Sequence, residues 1–315
     1  MTPRPEFFIA GAAKCGTTAL AQYLGAHPSV FLPRIKEPNF FCSDLGAKGC
    51  VSTLAEYQAL FASVPAQCVC CDASALYLYS RVAIKRLMQH NPRAKVMTLL
   101  RYPVDAAYSL FAARWARGHE NAEDFEQAWR LQSARITGSH MPPRWPDAMT
   151  LQYGAMYRYA EQVQRVLERV PEPQRLFIVY EEFFADPAAN YRRVLEFLGL
   201  PDAGQIEFPI VNAALGSRSR RLDSLLRRPP AWLAALYRPV RPLLRAAGVS
   251  PVNALRSLNL APRLKPPLRA EFRAELDRFF ADDIVELERL LGRPLWRAAC
   301  ARGVANRPSG SLTAG

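Results

Sequence analysis

Four apolar residues, Phe7-Phe8-Ile9-Ala10, run straight into Gly11-Ala12-Ala13-Lys14-Cys15-Gly16-Thr17-Thr18, and a helix-forming stretch continues to His27, where Pro28 stops it. A buried strand, a glycine loop and a helix start, in that order, make the geometry that holds phosphate. Glycine lets the backbone curl, so that successive N–H groups converge on one anion, and the helix dipole adds to their field. Thr17 and Thr18 supply hydroxyls and can cap the helix. The whole loop from Gly11 to Thr18 is therefore a candidate nucleotide-phosphate site. It departs from the nucleotide-triphosphatase pattern, which sets lysine directly after the second glycine. Thr17 holds that place here, and the lysine stands inside the loop at position 14.

The rest of the first two thirds alternates in the same manner. Strands are predicted at Val30–Leu32, Cys68–Cys71, Lys95–Leu100 and Arg175–Tyr180. Helices are predicted at Thr53–Val64, Arg81–His90, Val104–Arg117 with Pro103 in the first turn, Gly154–Val170, and Asn190–Leu198 closed by Gly199. Alternation of this kind implies an α/β fold: a P-loop-like, mostly parallel sheet with helices on both faces. After about residue 205 no further strand is expected. The remainder reads as a helical C-terminal extension rich in proline and arginine, with Glu271–Leu291 its strongest helix. The expected organisation is an α/β core over 1–205, a basic helical extension over 206–302 that completes the same domain, and a disordered tail over 303–315.

Charge is uneven. The chain carries a net +13, yet the segment from Arg218 to Arg269 holds twelve Lys or Arg against one acid, Asp223. A block of that kind suggests an anionic partner. No apolar run approaches the ~18 residues of a membrane span. Trp232–Arg238 is the one stretch suited to peripheral membrane contact, and Pro239 and Pro242 break it. The short apolar start lacks the features of a secretion signal, which predicts a cytoplasmic protein. Seven cysteines, with no zinc-like spacing to histidine, read as reduced thiols, and no metal site is expected. Cys15 stands at a helix N-terminus beside Lys14, a setting that stabilises thiolates; alternatively the loop needs only a small residue there.

A second anchor follows the central strand: Arg101-Tyr102-Pro103-Val104-Asp105-Ala106-Ala107-Tyr108-Ser109. Arg101 sits at the carboxyl end of the strand, where ligands bind in open α/β sheets. With Pro103 starting a helix, Arg101 and Ser109 can share one phosphate, unless Arg101 simply pairs with Asp105. Together the two strings resemble PAPS-dependent sulfotransferases, PAPS being 3′-phosphoadenosine 5′-phosphosulfate. Gly11-x-x-Lys14-x-Gly16-Thr17-Thr18 looks like their 5′-phosphosulfate loop, and Arg101-x-Pro103-x5-Ser109 like their 3′-phosphate motif. Lys36-Glu37-Pro38-Asn39-Phe40-Phe41 resembles a segment of the heparan-sulfate-type and bacterial branches, in which the glutamate is the candidate base. Cys71–Tyr77 resembles the segment after the next strand, although many of the glycan enzymes carry lysine where Ala73 stands.

The resemblance implies transfer of a sulfuryl group from PAPS, as co-substrate and without metal, to a hydroxyl or amine of a glycan or small-molecule acceptor. It implies Lys14 at the leaving oxygen and Glu37 as base. Gly11, Ala12, Ala13, Cys15, Gly16, Thr17 and Thr18 would hold the 5′-phosphate, and Arg101 and Ser109 the 3′-phosphate. Arg218, Ser219 and Arg220 would lie in a basic loop closing over the nucleotide. Pro38 is expected to hold Glu37 extended, with Phe40 and Phe41 pinning the segment to the core; a surface pair of Glu37 with Lys36 or Arg34 is the alternative. His119 and His140 are the rival bases, while His27 and His90 close helices. A P-loop nucleotide kinase and a basic nucleic-acid-binding protein are the competing functions. No nucleic-acid module signature occurs, so no nucleic-acid partner is expected, and the oligomeric state stays open.

Overall fold

The computed structural model describes residues 4–46, 51–65, 67–143, 145, 147–202, 204, 207–209, 215–217, 260–262 and 267–296. Arg218, Ser219, Arg220 and the tail over 303–315 lie outside these. The chain divides into two compact units. One comprises Met1–Leu110, Asp147–Val211 and Leu268–Gly315, the other Phe111–Pro146 and Asn212–Pro267.

The first unit opens with β1 (Phe7–Gly11), α1 (Thr17–Gly25), β2 (Val30–Phe31), α2 (Leu54–Ala59), β3 (Val69–Ala73), α3 (Ala83–His90), β4 (Lys95–Leu100) and the start of α4 (Pro103–Arg117). With β5 (Arg175–Val179) these strands form one sheet in the order β2-β3-β1-β4-β5, every pair parallel. A parallel sheet is covered on both faces, so its strands read as continuous apolar runs rather than alternating ones. In β1, Phe7 and Phe8 are both fully buried. Phe7 meets Phe197 at 6.5 Å, whereas Phe8 meets Phe41 at 6.0 Å and Tyr77 at 6.3 Å. Truncating either to alanine would cost about 3–5 kcal/mol. The chain places β3 on one side of β1 and β4 on the other. That reversal opens a crevice at the carboxyl ends of β1 and β4, the place where such sheets take ligands.

Most local signals act as the residues suggest. Thr53 and Glu56 close a capping box on α2, and Asp186 caps a helix that begins at Pro187 and ends at Leu198 with Gly199 left-handed. The stretch expected as one helix from Gly154 is two, Tyr153–Tyr157 and Tyr159–Arg169, parted at Arg158 with ψ 92°. The N–H groups of Tyr159 and Ala160 turn instead to the Asp283 carboxylate on the C-terminal helix, Ala270–Leu291, at 2.6 and 3.3 Å. A strong cap from a distant segment outcompetes one turn of helix.

In the second unit, helices at Phe125–Arg130 and Gln132–Ile136 surround a buried pair. Arg135, fully enclosed, donates to Glu120 at 2.8 Å and to Asn121 at 3.1 Å. Removing one partner of such a pair costs about 3–5 kcal/mol. This unit also corrects the expectation that strands end near residue 205: Leu215–Ser217 and Leu260–Pro262 pair antiparallel. Each is three residues long and carries proline or glycine, so neither shows a strand pattern in sequence.

Candidate active site

The glycine loop leaves β1 under tight constraint. A Cβ on Gly11 would meet Leu78 Cβ at 2.7 Å, and one on Gly16, at φ +88°, would meet Phe184 Cε2 at 2.8 Å. Lys14 is also left-handed, at φ 64°. Interior contacts hold this shape. Ala12 N–H donates to Leu99 O at 2.8 Å, Cys15 N–H to Ala12 O at 3.2 Å, and the buried Tyr157 hydroxyl to Ala13 O at 2.9 Å. The amides of Ala12 and Cys15 are thus hydrogen-bonded within the protein. α1, by contrast, has Gly16 at its N-cap, with no side-chain cap and no acid in its first turn. Its leading N–H groups keep the positive end of the dipole open to an anion.

Arg101 lies at the end of β4, beside this loop. Its guanidinium stacks over Tyr180, 4.4 Å from the ring centre, and Nη1 reaches Lys14 O at 3.4 Å. Tyr180 in turn packs on Phe184, the residue against Gly16, at 4.5 Å. The two sequence anchors are thus joined by one aromatic bridge. The Nε of Arg101 is buried with no hydrogen-bond partner among the described residues, a donor that an anionic group would satisfy. The alternative pairing with Asp105 does not form, because Asp105 accepts from Arg273 at 3.0 Å. Ser109 sits buried in α4, nearly two turns past Pro103. Glu181, the acid beyond β5, accepts from Tyr102 N–H at 3.1 Å and from the Trp296 indole at 2.9 Å, a structural task.

The Lys36–Phe41 segment follows β2 on the same side of the sheet. Glu37 is not extended as expected. It takes φ 55°, and Asn39 takes φ 51°. Asn39 Nδ2 donates to Glu37 O at 3.0 Å, and Asn39 N–H to Ser74 Oγ at 3.1 Å; these bonds override the preference set by Pro38. Phe40 stacks on Tyr57 at 4.6 Å and Phe41 packs against Tyr57 and Tyr77, which pins the segment as anticipated. Glu37 Oε1 lies 3.3 Å from Lys36 Nζ, and that ammonium also donates to Thr18 Oγ1 on α1.

Behind this loop is a hub that sequence reasoning missed. Asp72, fully buried at the end of β3, accepts from the hydroxyls of Tyr57, Tyr77 and Ser74, each at 2.7 Å. Burial pushes its carboxyl above the ordinary value, against the pull of the three donors. Because Ser74 gives its proton to Asp72, its oxygen is left to accept Asn39 N–H. The Asp72–Ser74 pair thereby sets the turn that presents Glu37. The only sequence signal was an acid inside an apolar strand.

Cys15 does not carry a stabilised thiolate. It is fully buried, its Sγ 3.4 Å from the Tyr159 hydroxyl, and burial pushes the thiol up to about 12. Desolvation outweighs the hydrogen bond from Tyr159 and the field of Arg101, both of which favour the thiolate. The small-residue alternative stands. His27 is structural: Nδ1 accepts from Ser29 N–H and Nε2 donates to Pro201 O, both at 3.0 Å. His119 stacks on Trp145 at 4.7 Å in the second unit, and His140, also there, takes φ 54°.

The sulfotransferase domain family matches residues 4–213. Bifunctional heparan sulfate N-deacetylase/N-sulfotransferase 2 of Bos taurus is 29% identical over 300 residues, 92% of this chain and 30% of the relative. Heparan sulfate glucosamine 3-O-sulfotransferase 3B1 of Mus musculus is 29% identical over 196 residues, 62% of this chain and 46% of the relative. The chain thus spans less than half the length of either. The crystal structure of a sulfotransferase from Alicyclobacillus acidocaldarius matches with a TM-score of 0.66 and 27% identity, over 94% of this chain and 99% of that one. With well over half of its length matched by the family, and the phosphate loop and strand-end arginine joined at adjacent strand ends, this chain belongs to the sulfotransferase family.

Proposed function

We propose that the protein transfers the sulfuryl group of PAPS to a hydroxyl or amine of a glycan acceptor. The observation that carries this reading is the bridge between the uncapped start of α1 and Arg101, two anion sites at adjacent strand ends fixed by one tyrosine. A nucleotide with phosphates at both its 5′ and 3′ positions matches that pairing, and a plain 5′-nucleotide leaves Arg101 without its ligand. The amides of Gly16, Thr17 and Thr18 would hold the 5′-phosphate, and Arg101 with Ser109 the 3′-phosphate.

The acceptor heteroatom attacks sulfur in line as the bond from sulfur to the bridging oxygen breaks. The bonding pair leaves on adenosine 3′,5′-bisphosphate, and the acceptor proton passes to Glu37. Lys14 stabilises the charge growing on the bridging oxygen, an interaction stronger in the transition state than in the ground state. A glycan acceptor is supported by the relatives' names, and an anionic one by the twelve cations between Arg218 and Arg269. The test is incubation with sulfur-labelled PAPS and a panel of polyanionic glycans, neutral glycans and small phenols. Label transferred to a glycan, with bisphosphate released in equal amount, is the expected result. No transfer to any acceptor, with no binding of the bisphosphate, would overturn the proposal.

A further inference from the structure

We propose that Lys36 is a binding residue for the sulfonate of the donor, and that it lets the site tell PAPS from its spent product. This rests on the reading above and goes beyond it. Among the described residues Lys36 has two contacts, the Glu37 carboxylate at 3.3 Å and the Thr18 hydroxyl at the start of α1. Its ammonium therefore stands between the assigned base and the phosphate cradle. In-line transfer puts the sulfur in that same interval. The attacking atom must lie within hydrogen-bond reach of Glu37, the leaving oxygen is attached to the phosphate in the cradle, and sulfur lies on the line between them. A cation flanking that line faces the oxygens of sulfur that are neither attacking nor leaving. Lysine's three donors can serve Glu37, Thr18 and one sulfonate oxygen together.

The position has a second consequence. β3, at whose end Ala73 is buried, carries no cation, and Lys36 brings one from the loop after β2. Adenosine 3′,5′-bisphosphate retains both phosphates and lacks only the sulfonate. Lys36 therefore contributes to holding the donor and contributes little to holding the product, which favours release after transfer.

Calorimetric titration of PAPS and of the bisphosphate, without acceptor, into the wild-type, Lys36→Met and Lys36→Arg proteins tests this. Lys36→Met is expected to weaken PAPS by about tenfold or more, the weight of a charge-assisted hydrogen bond, and the bisphosphate by less than about twofold. Lys36→Arg, which keeps the charge, is expected to restore most of the PAPS affinity. Equal weakening of both nucleotides would make Lys36 a ligand of the 5′-phosphate and overturn the assignment. Unchanged affinity for both would reduce it to a surface partner of Glu37. A wild-type protein that binds neither nucleotide would remove the proposed function and this assignment together, an outcome distinct from the other two. Unfolding temperature controls for the fold, because the side chain is 43% exposed and its loss leaves no cavity.

Discussion

Replacing Arg101 by alanine should change which nucleotide the protein prefers more than it changes the fold. Among the described residues the guanidinium makes two contacts and leaves one donor unused. The stack on Tyr180, at 4.4 Å, is worth about 0.5–1 kcal/mol. The bond to Lys14 O, at 3.4 Å, is long and contributes less than an ordinary hydrogen bond. The buried Nε has no hydrogen-bond partner among the described residues, which leaves it available to a ligand. A charge-assisted bond to a phosphate is worth about 1.5–3 kcal/mol, or roughly ten- to a hundredfold in affinity. Titration with adenosine 3′,5′-bisphosphate and with adenosine 5′-monophosphate isolates the 3′ contribution, since the two differ only there. Arg101→Ala is expected to weaken the bisphosphate by that factor and the monophosphate by less than about threefold, the residue of the Lys14 contact. Arg101→Lys should recover only part, because it keeps charge and loses both the planar fork and the stack. Equal losses for the two nucleotides would show that Arg101 acts on the 5′ loop and that the 3′-phosphate lies elsewhere.

Other perturbations separate the remaining roles. Lys14→Ala should lower turnover far more than it weakens bisphosphate binding, because its charge matters most as the leaving oxygen develops; single-turnover rates and titration read the two effects apart. Glu37→Gln should preserve nucleotide affinity and lose about two orders of magnitude in turnover, the ordinary weight of a general base; wild-type turnover would move the search to His119 and His140. Cys15 should resist iodoacetamide in the folded protein, its thiol buried and pushed up to about 12, and react once denaturant opens the loop; rapid labelling of native protein at mildly alkaline pH would contradict this. Asp72→Ala should cost about 3 kcal/mol or more in chemical denaturation, since three buried hydroxyls lose their acceptor. Asp72 also gives a signed pH effect. With its folded-state value above its unfolded one, the folded protein takes up that proton first as pH falls, so this group's contribution to stability grows on acidification and is lost as pH rises through the folded value. Asp72→Asn should abolish that component.

What the sequence discloses and what it conceals divide by distance along the chain. The strand, loop and start of α1 lie within about twenty residues, and the strand-end arginine with the Pro103 helix start lies within ten, so both anchors can be read from local spacing. The fixing of the loop cannot. Tyr157 reaches Ala13 across 144 residues, and Asp283 caps the helix beginning at Tyr159 across 124. Neither tyrosine nor aspartate carries a pattern that names its partner. The break at Arg158 is hidden for the same reason, since apolar periodicity continues through it. Glu37 shows a conflict between local and tertiary signals. Pro38 argues for an extended residue before it, and two hydrogen bonds of Asn39, one of them set by Asp72 through Ser74, argue for a turn. The tertiary bonds prevail, and they aim a side chain whose motif was legible but whose direction was not.

The acids near the crevice bear on whether Arg101 is open to an anion. Asp105, Glu181 and Glu182 cluster beyond the ends of β4 and β5, and any of them could neutralise it. Each is occupied by the C-terminal region of the same unit: Asp105 by Arg273, Glu181 by the Trp296 indole, and Glu182 by Arg293 at 2.6 Å. Tyr102, next to Arg101, also donates to Asp277 at 2.8 Å. The helix Ala270–Leu291 and the residues just beyond it thus engage these acids, two of them by ion pairs, and among the described residues Arg101 is left with an aromatic face and a backbone carbonyl. Exposed ion pairs such as these add little stability individually, about 0–1 kcal/mol each. Their effect on the site is larger than their effect on the fold. Arg293→Ala would release Glu182, adding an unpaired acid to that cluster, and anion affinity should fall while the unfolding temperature barely moves. Unchanged bisphosphate affinity at low ionic strength, where such a field is least screened, would refute this account.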